Sequence, residues 1–341
     1  AVRTRELTRA AMSDLLGGVN PRGHAIADAT DAALLGALAI AGREDAERWG
    51  AERARVTFVA MGRYGGRECS YASDADVIAL HEPVGGASDS EAAASATAIV
   101  NRVKKLLGSA TSQLGIVVDL DLRPEGKNGP MSRTIASHEE YAQRWASTWE
   151  RQAAVRARPI GSSDLDERAR ALFESMAYRE VSESEVRDIR LLKARMENER
   201  LPRGSEPARH VKLGPGGLSD VEWTIQLIQM RHGREVEGLR TPSTTRAIAV
   251  ARDAGLLAAP DAEILLSAWD LATRIRAGNT LATGRMSGVK LDVLPRDSAE
   301  LSALAAILGY GSGGLTALEE DWLRAARQAR NVMERAFWEQ Q

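Results

Sequence analysis

The stretch Val56–Leu80, VTFVAMGRYGGRECSYASDADVIAL, constrains the fold of this chain more than any other. Val56, Thr57, Phe58, Val59 and Ala60 are apolar or β-branched and run directly into Gly62, the pattern of a buried strand ending in a tight turn. Gly65 and Gly66 follow, and Asp74 and Asp76 then stand two apart at the head of Val77–Leu80. Side chains i and i+2 of a strand share a face, so this spacing predicts two carboxylates aimed into one space. Such oxygens suit Mg2+, which is commonly held by one or two carboxylates plus substrate phosphates. Glycines at a turn let backbone N–H groups approach an anion, and Arg63 and Arg67 add positive charge beside them.

A second acidic strand is expected at Gly115–Pro124, GIVVDLDLRP, where Asp119 and Asp121 alternate with Val118, Leu120 and Leu122. With the apolar set turned to a core, the acids would join Asp74 and Asp76. A nucleoside triphosphate site is the destination this pattern points to.

The combination G-x-x-G-G-x-E followed by S-D-x-D, over Gly62–Asp76, with V-D-L-D-L-R-P-E-G over Val118–Gly126, resembles the glutamine synthetase adenylyltransferases. These belong to the DNA polymerase beta-like nucleotidyltransferases. The resemblance continues through Lys193–Arg203 (KARMENERLPR) and Lys212–Gln226 (KLGPGGLSDVEWTIQ). It implies an enzyme that moves AMP from ATP to a tyrosine hydroxyl of glutamine synthetase. By the resemblance, Asp74 and Asp76 hold two Mg2+ ions, and Asp119 completes one metal site and takes the acceptor proton, with Asp121 an auxiliary metal ligand. Gly62, Arg63, Gly65, Gly66 and Ser73 would bind the nucleotide. Arg123 would neutralise charge or brace Asp119, and Lys127 would reach a phosphate from the loop EGKNGPMS.

The E-C-S-Y-A-S-D-A-D form here is more similar to the C-terminal, AMP-attaching unit of that family than to its AMP-removing, phosphorolytic unit. The other readings are the removing unit, a PII-type uridylyltransferase using UTP, and a nucleotide-binding regulatory module without turnover. A PII-type signal protein is an implied partner.

Composition narrows the rest. Of 341 residues 44% are hydrophobic but only 4% aromatic, so the core must be built of Ala, Leu, Val and Ile, which favours closely packed helices. A net charge of −2 with interspersed signs gives no basic footprint for nucleic acid. Cys69 is the only cysteine, which excludes an internal disulfide and fits a reducing, cytoplasmic setting. The uncharged run Ala32–Gly42 is far short of the roughly 20 residues a membrane helix needs, so no membrane is expected. A chain that opens at Ala1 reads as a piece of something longer.

The architecture expected is α+β: a small mixed or antiparallel sheet of the polymerase beta-like type with flanking helices, then an all-α bundle. Residues 1–160 would form the nucleotidyltransferase domain with a helical lead-in packed on the sheet, and residues 161–341 the bundle. Helices are expected over 4–16, over Asp28–Ile40 ending at Gly42, and over Ser90–Leu107. A further helix would open at a Ser137/Glu140 capping box and carry Tyr141, Trp145 and Trp149 as a packing stripe. Capping boxes are also expected at Ser182/Glu185 and Ser219/Glu222, with helices near 219–231, 243–254, 260–277, 298–308 and 316–338. Gly214, Gly216 and Gly217 either shape the turn before their helix or, with Lys212, Asp220 and Glu222, close over the nucleotide.

Overall fold

The computed structural model describes residues 2–17, 23–108, 115–202, 204–311 and 313–339. The chain divides into two compact units: Ala1–Glu6, Gly23–Cys69 and Ser73–Arg179 form one, and Leu7–Arg22, Ser70–Ala72 and Glu180–Gln341 the other. The first helix, α1 (Val2–Gly17), therefore belongs mostly to the second unit instead of lining the sheet as a lead-in.

The first unit is built on β1 (Ala54–Ala60) and β2 (Ala75–Pro83), paired antiparallel from Ala54↔Pro83 to Ala60↔Val77. Three short strands complete a five-stranded mixed sheet. β3 (Val118–Asp119) and β4 (Ser132–Thr134) run parallel to β2, and β5 (Arg158–Pro159) runs antiparallel to β1. Consecutive residues Thr57, Phe58, Val59 and Ala60 are all buried, so both faces of β1 are covered, as the unbroken apolar run requires.

The covering helices are α4 (Asp89–Leu107) and α7 (Asp164–Ala177), both packed on β1 and β2. A Ser88/Glu91 capping box starts α4, and its stripe Ala92, Ala96, Ile99 and Val103 is buried. Behind it lies α2 (Gly23–Trp49), which runs through Gly42 instead of stopping there. One interior glycine costs only about 1 kcal/mol. Buried Ala41, and Asp45 accepting from Ser95 Oγ of α4, carry the helix past it. By length and composition α2 would suffice to cross a membrane, the one such helix among the described residues. Here its face from Ile26 to Asp45 is buried and includes two aspartates, the pattern of a core helix.

Two expectations fail where local capping outcompetes periodicity. The Ser137 helix begins earlier, as α5 (Ile135–Arg144), because Thr134 is its N-cap and accepts from Ser137 N. It then breaks, and a Ser147/Glu150 capping box opens α6 (Thr148–Ala154). The aromatic stripe is thereby dismantled: Trp145 is 74% exposed and Trp149 40%. Unforeseen, α7 opens with a Ser163/Asp166 box and buries Leu165, Ala169, Leu172 and Phe173. It carries the sheet unit to Arg179, beyond the break expected at residue 160.

The second unit is helical: α8 (Glu183–Glu199), α9 (Leu218–His232), α10 (Thr244–Asp253), α11 (Ala259–Thr283), α12 (Ser298–Ile307) and α13 (Leu315–Met333), the last extended by a π-turn over Glu334–Trp338. The Ser182/Glu185 box caps α8, and Gly255 (φ +71°) and Gly309 (φ +86°) terminate their helices in the left-handed region. The Ser219/Glu222 box does not form, because α9 begins two residues earlier than that cap requires, with Gly217 as N-cap. Gly214 and Gly216 serve close packing: an added Cβ would lie 2.0 Å from the Pro207 carbonyl oxygen and 1.8 Å from that of Ala326. Asp220 is spent inside this unit. Its carboxylate meets Lys193 Nζ at 2.6 Å and Arg330 Nη1 at 3.1 Å, and accepts from Gly216 N at 2.8 Å.

Candidate active site

The acidic residues are brought together by strand register. β2 and β3 pair with Ala75 opposite Val118 and Asp76 opposite Asp119, so the two carboxylates stand side by side on one face of the sheet. Asp74 precedes β2 and is exposed, while Asp76 and Asp119 are half-buried. The glycine turn adjoins them. A Cβ at Gly62 would lie 3.4 Å from Asp76 Oδ2, and Met61 N donates to the Asp76 carbonyl at 2.9 Å. Gly62 itself has φ +53°, a conformation L side chains rarely adopt.

The turn is a single helical one, α3 (Gly62–Gly65), and it uses the N–H groups of Gly65 and Gly66 internally, on the carbonyls of Met61 and Gly62. Of the glycines expected to cradle phosphate, these two are therefore packing and hydrogen-bonding elements. A Cβ on Gly65 would fall 1.8 Å from the Arg156 carbonyl oxygen. Arg63 lies half-buried within α3, and Ser73 half-buried immediately before Asp74. Arg67, with φ +56°, turns its guanidinium to Asp28 and Asp31 of α2.

The second acidic stretch is shorter than expected. β3 ends at Asp119, and Arg123 N bonds the Leu120 carbonyl to close a turn, so Asp121 does not share a strand face with Asp119. Instead Asp121 N donates to Asp119 Oδ1 at 2.7 Å, fixing the Asp119 carboxylate. The Asp121 carboxylate lies 3.3 Å from Lys127 Nζ, whose side chain is 80% exposed. Arg123 does not brace Asp119. Its buried guanidinium donates to the carbonyls of Leu120, Lys127 and Gly129, so its charge staples the loop that follows β3.

What pins the turn next to the acids was not foreseen. Arg158 of β5 grips Asp31 with two nitrogens, at 2.8 and 3.0 Å, and donates to the Gly65 carbonyl at 3.1 Å. Tyr64 OH donates to the same aspartate at 2.5 Å. Arg156 holds the other end of the turn, donating to the Gly62 carbonyl at 3.0 Å and to Glu68 at 2.7 Å. The available signals were an acid inside an Ala-rich helix and the R-A-R-P alternation at Arg156–Pro159. Burial would lower the Arg158 guanidinium, but its bonds and charge pairing with Asp31 prevail and raise it. Burial, then the Asp31 charge, pushes the Tyr64 phenol far up. Burial likewise pushes the Cys69 thiol up to about 12, which leaves it protonated and a packing group.

Among the described residues no group of three or more His, Cys, Asp or Glu comes close enough together to hold a metal ion. The expected meeting of three or four acids at one point is thus reduced to a register pair, with Asp74 at its margin. An oxygen-only pair still fits Mg2+, which completes its shell with phosphate and water.

A carboxylate pair beside a bare turn suits a charged phosphate substrate, and the comparisons with known proteins give the family. The family model described as glutamate-ammonia ligase adenylyltransferase matches residues 1–173, and one described as GlnD PII-uridylyltransferase matches residues 190–337. Proteins named bifunctional glutamine synthetase adenylyltransferase/adenylyl-removing enzyme are 43% identical in Streptomyces coelicolor (99% of this chain, 35% of the relative) and 44% in Streptomyces avermitilis (98% and 32%). That of Mycobacterium marinum is 38% identical (98% and 34%). This chain belongs to the glutamate-ammonia ligase adenylyltransferase family and spans about a third of the length of these relatives.

Proposed function

We propose that this chain catalyses transfer of AMP from ATP to a tyrosine hydroxyl of glutamine synthetase, in the cytoplasm, as the AMP-attaching unit of its family. The observation that carries the reading is the register pairing of Asp76 with Asp119 opposite Gly62. Asp76 and Asp119 would hold Mg2+, with Asp74 and Asp121 at the edge of the site. When bound there, the cation would neutralise triphosphate charge as it develops.

The chain's own residues do the rest. The bare Gly62 turn, with the Arg63 charge beside it, would meet the β- and γ-phosphates. The Arg63 and Ser73 side chains and, from the exposed loop, Lys127 complete the nucleotide contacts. Asp119, its carboxylate oriented by Asp121 N, accepts the acceptor proton. The hydroxyl oxygen then bonds to the α-phosphorus, and the bond from that phosphorus to the β-bridging oxygen breaks with its electron pair on pyrophosphate.

The test is incubation with labelled ATP, Mg2+ and glutamine synthetase. Label on a tyrosine supports the reading, and its absence overturns it. Phosphate-driven ADP release from adenylylated glutamine synthetase would mark the removing unit instead. The helical match to PII-uridylyltransferases favours a PII-type protein as regulator, and also motivates a competition of UTP against ATP. UTP preference would assign uridylyl transfer.

A further inference from the structure

We propose that Val117 is the apolar seat for the ring of the acceptor tyrosine and so helps to select the acceptor. This rests on the adenylyl-transfer reading above. Along the approach to β3, exposure alternates: Ile116 is 4% exposed, Val117 60%, Val118 5% and Leu120 2%. Residues 116, 118 and 120 thus face the core, and Val117 projects with Asp119 from the other side. Ala75 N donates to the Val117 carbonyl at 2.9 Å, a bond of the Ala75–Val118 pair that ties Val117 to the start of the parallel ladder, two residues before Asp119. The face that carries Asp76 and Asp119 therefore also carries an aliphatic side chain most of whose surface meets water.

Strand order supplies the direction. The sequence across the sheet is β3-β2-β1, and the Gly62 turn follows β1. Asp76 on β2 consequently lies between the turn and Asp119. A triphosphate held at the turn enters from the β1 side, leaving the β3 edge to the attacking group. A hydroxyl delivered to Asp119 brings its ring with it, and a residue two along a strand lies about 6.5 Å away, within the reach of a phenol. In the other direction the chain turns at Leu120–Arg123 and presents Asp121, which offers no apolar surface. Val117 is the neighbour that does.

The experiment is steady-state transfer to glutamine synthetase with Val117→Ser, Val117→Thr and Val117→Ile, alongside calorimetric Mg-ATP affinity and thermal melting of each. Removing the apolar contact should raise the acceptor KM about tenfold in Val117→Ser, less in Val117→Thr. Val117→Ile should stay near wild type, with Mg-ATP affinity and melting unchanged throughout. A matching loss of Mg-ATP affinity would move Val117 to the nucleotide, a lowered melting temperature would make it a packing residue, and an unchanged KM would remove the seat; each overturns the proposal. A wild-type chain that transfers no AMP would refute the underlying reading and the seat with it. An active wild type with an indifferent Val117→Ser refutes the seat alone.

Discussion

Arg158 and Asp31 form a two-toothed ion pair in the interior of the sheet unit, at 2.8 and 3.0 Å, with both side chains almost fully enclosed. Through its bond to the Gly65 carbonyl this pair sets where the glycine turn stands beside Asp76. Arg158→Lys cannot reproduce the fork, and Asp31→Asn leaves a buried guanidinium without its counter-charge. Each is expected to cost about 3 kcal/mol, read as a lowered urea midpoint. The double variant should cost less than the sum, since the two act as one unit.

At the acids the expectation is the opposite, lost turnover with an intact fold. Asp76 and Asp119 are half-exposed, so Asp76→Asn and Asp119→Asn remove charge without opening a cavity. AMP transfer should fall by at least about 100-fold in each, with circular dichroism and melting unchanged. Retained activity would show that the metal-binding acids lie elsewhere.

Gly65→Ala separates the packing role of that glycine from phosphate binding. Its Cβ would sit 1.8 Å from one carbonyl oxygen and 2.7 Å from another, so backbone must move. A destabilisation of about 3 kcal/mol is expected whether or not nucleotide is present. A variant as stable as wild type but weak in ATP binding would assign Gly65 to the phosphates after all.

His138 makes the sheet unit acid-sensitive. Burial, with help from Arg133, pushes its imidazole down to about 4, and its ring packs on Phe173 at 5.3 Å. Because the unfolded group titrates near 6.5, the unfolded chain binds a proton between those values that the folded chain refuses. Stability from this residue is whole above about pH 6.5 and is lost as pH falls towards 4, by about 3 kcal/mol at most. Urea unfolding at pH 7 and pH 5 should show a smaller difference for His138→Phe than for wild type.

In the helical unit, Asp220→Ala strips Lys193, whose side chain is 2% exposed, of its nearest counter-charge, removes one of the carboxylates on Arg330 and leaves Gly216 N without this acceptor. A loss of about 3–5 kcal/mol is expected in urea unfolding. A nucleotide-closing role for Asp220 would instead leave stability untouched and lower ATP affinity.

The sequence by itself determined the strand, turn and acid order of Val56–Leu80, the all-helical character of the second half, and most of its helix boundaries. These depend on interactions between near neighbours: alternation, helical period, and glycines past helix ends. Ser182/Glu185 was legible for that reason. Where two local signals competed, as at Thr134 against Ser137 or Gly217 against Ser219, only the folded backbone chose between them.

Tertiary structure alone decided which acids meet and what holds the turn. Asp121 has the same spacing from Asp119 as Asp74 has from Asp76. Its fate depends on Leu120–Arg123 turning away where β2 offers no further pairing. Arg158 and Asp31, 127 residues apart, carry no shared local pattern, and their pairing exists only because β5 and α2 pack around one glycine turn. A buried charge must find its partner wherever the fold brings one, and sequence spacing holds no record of that meeting.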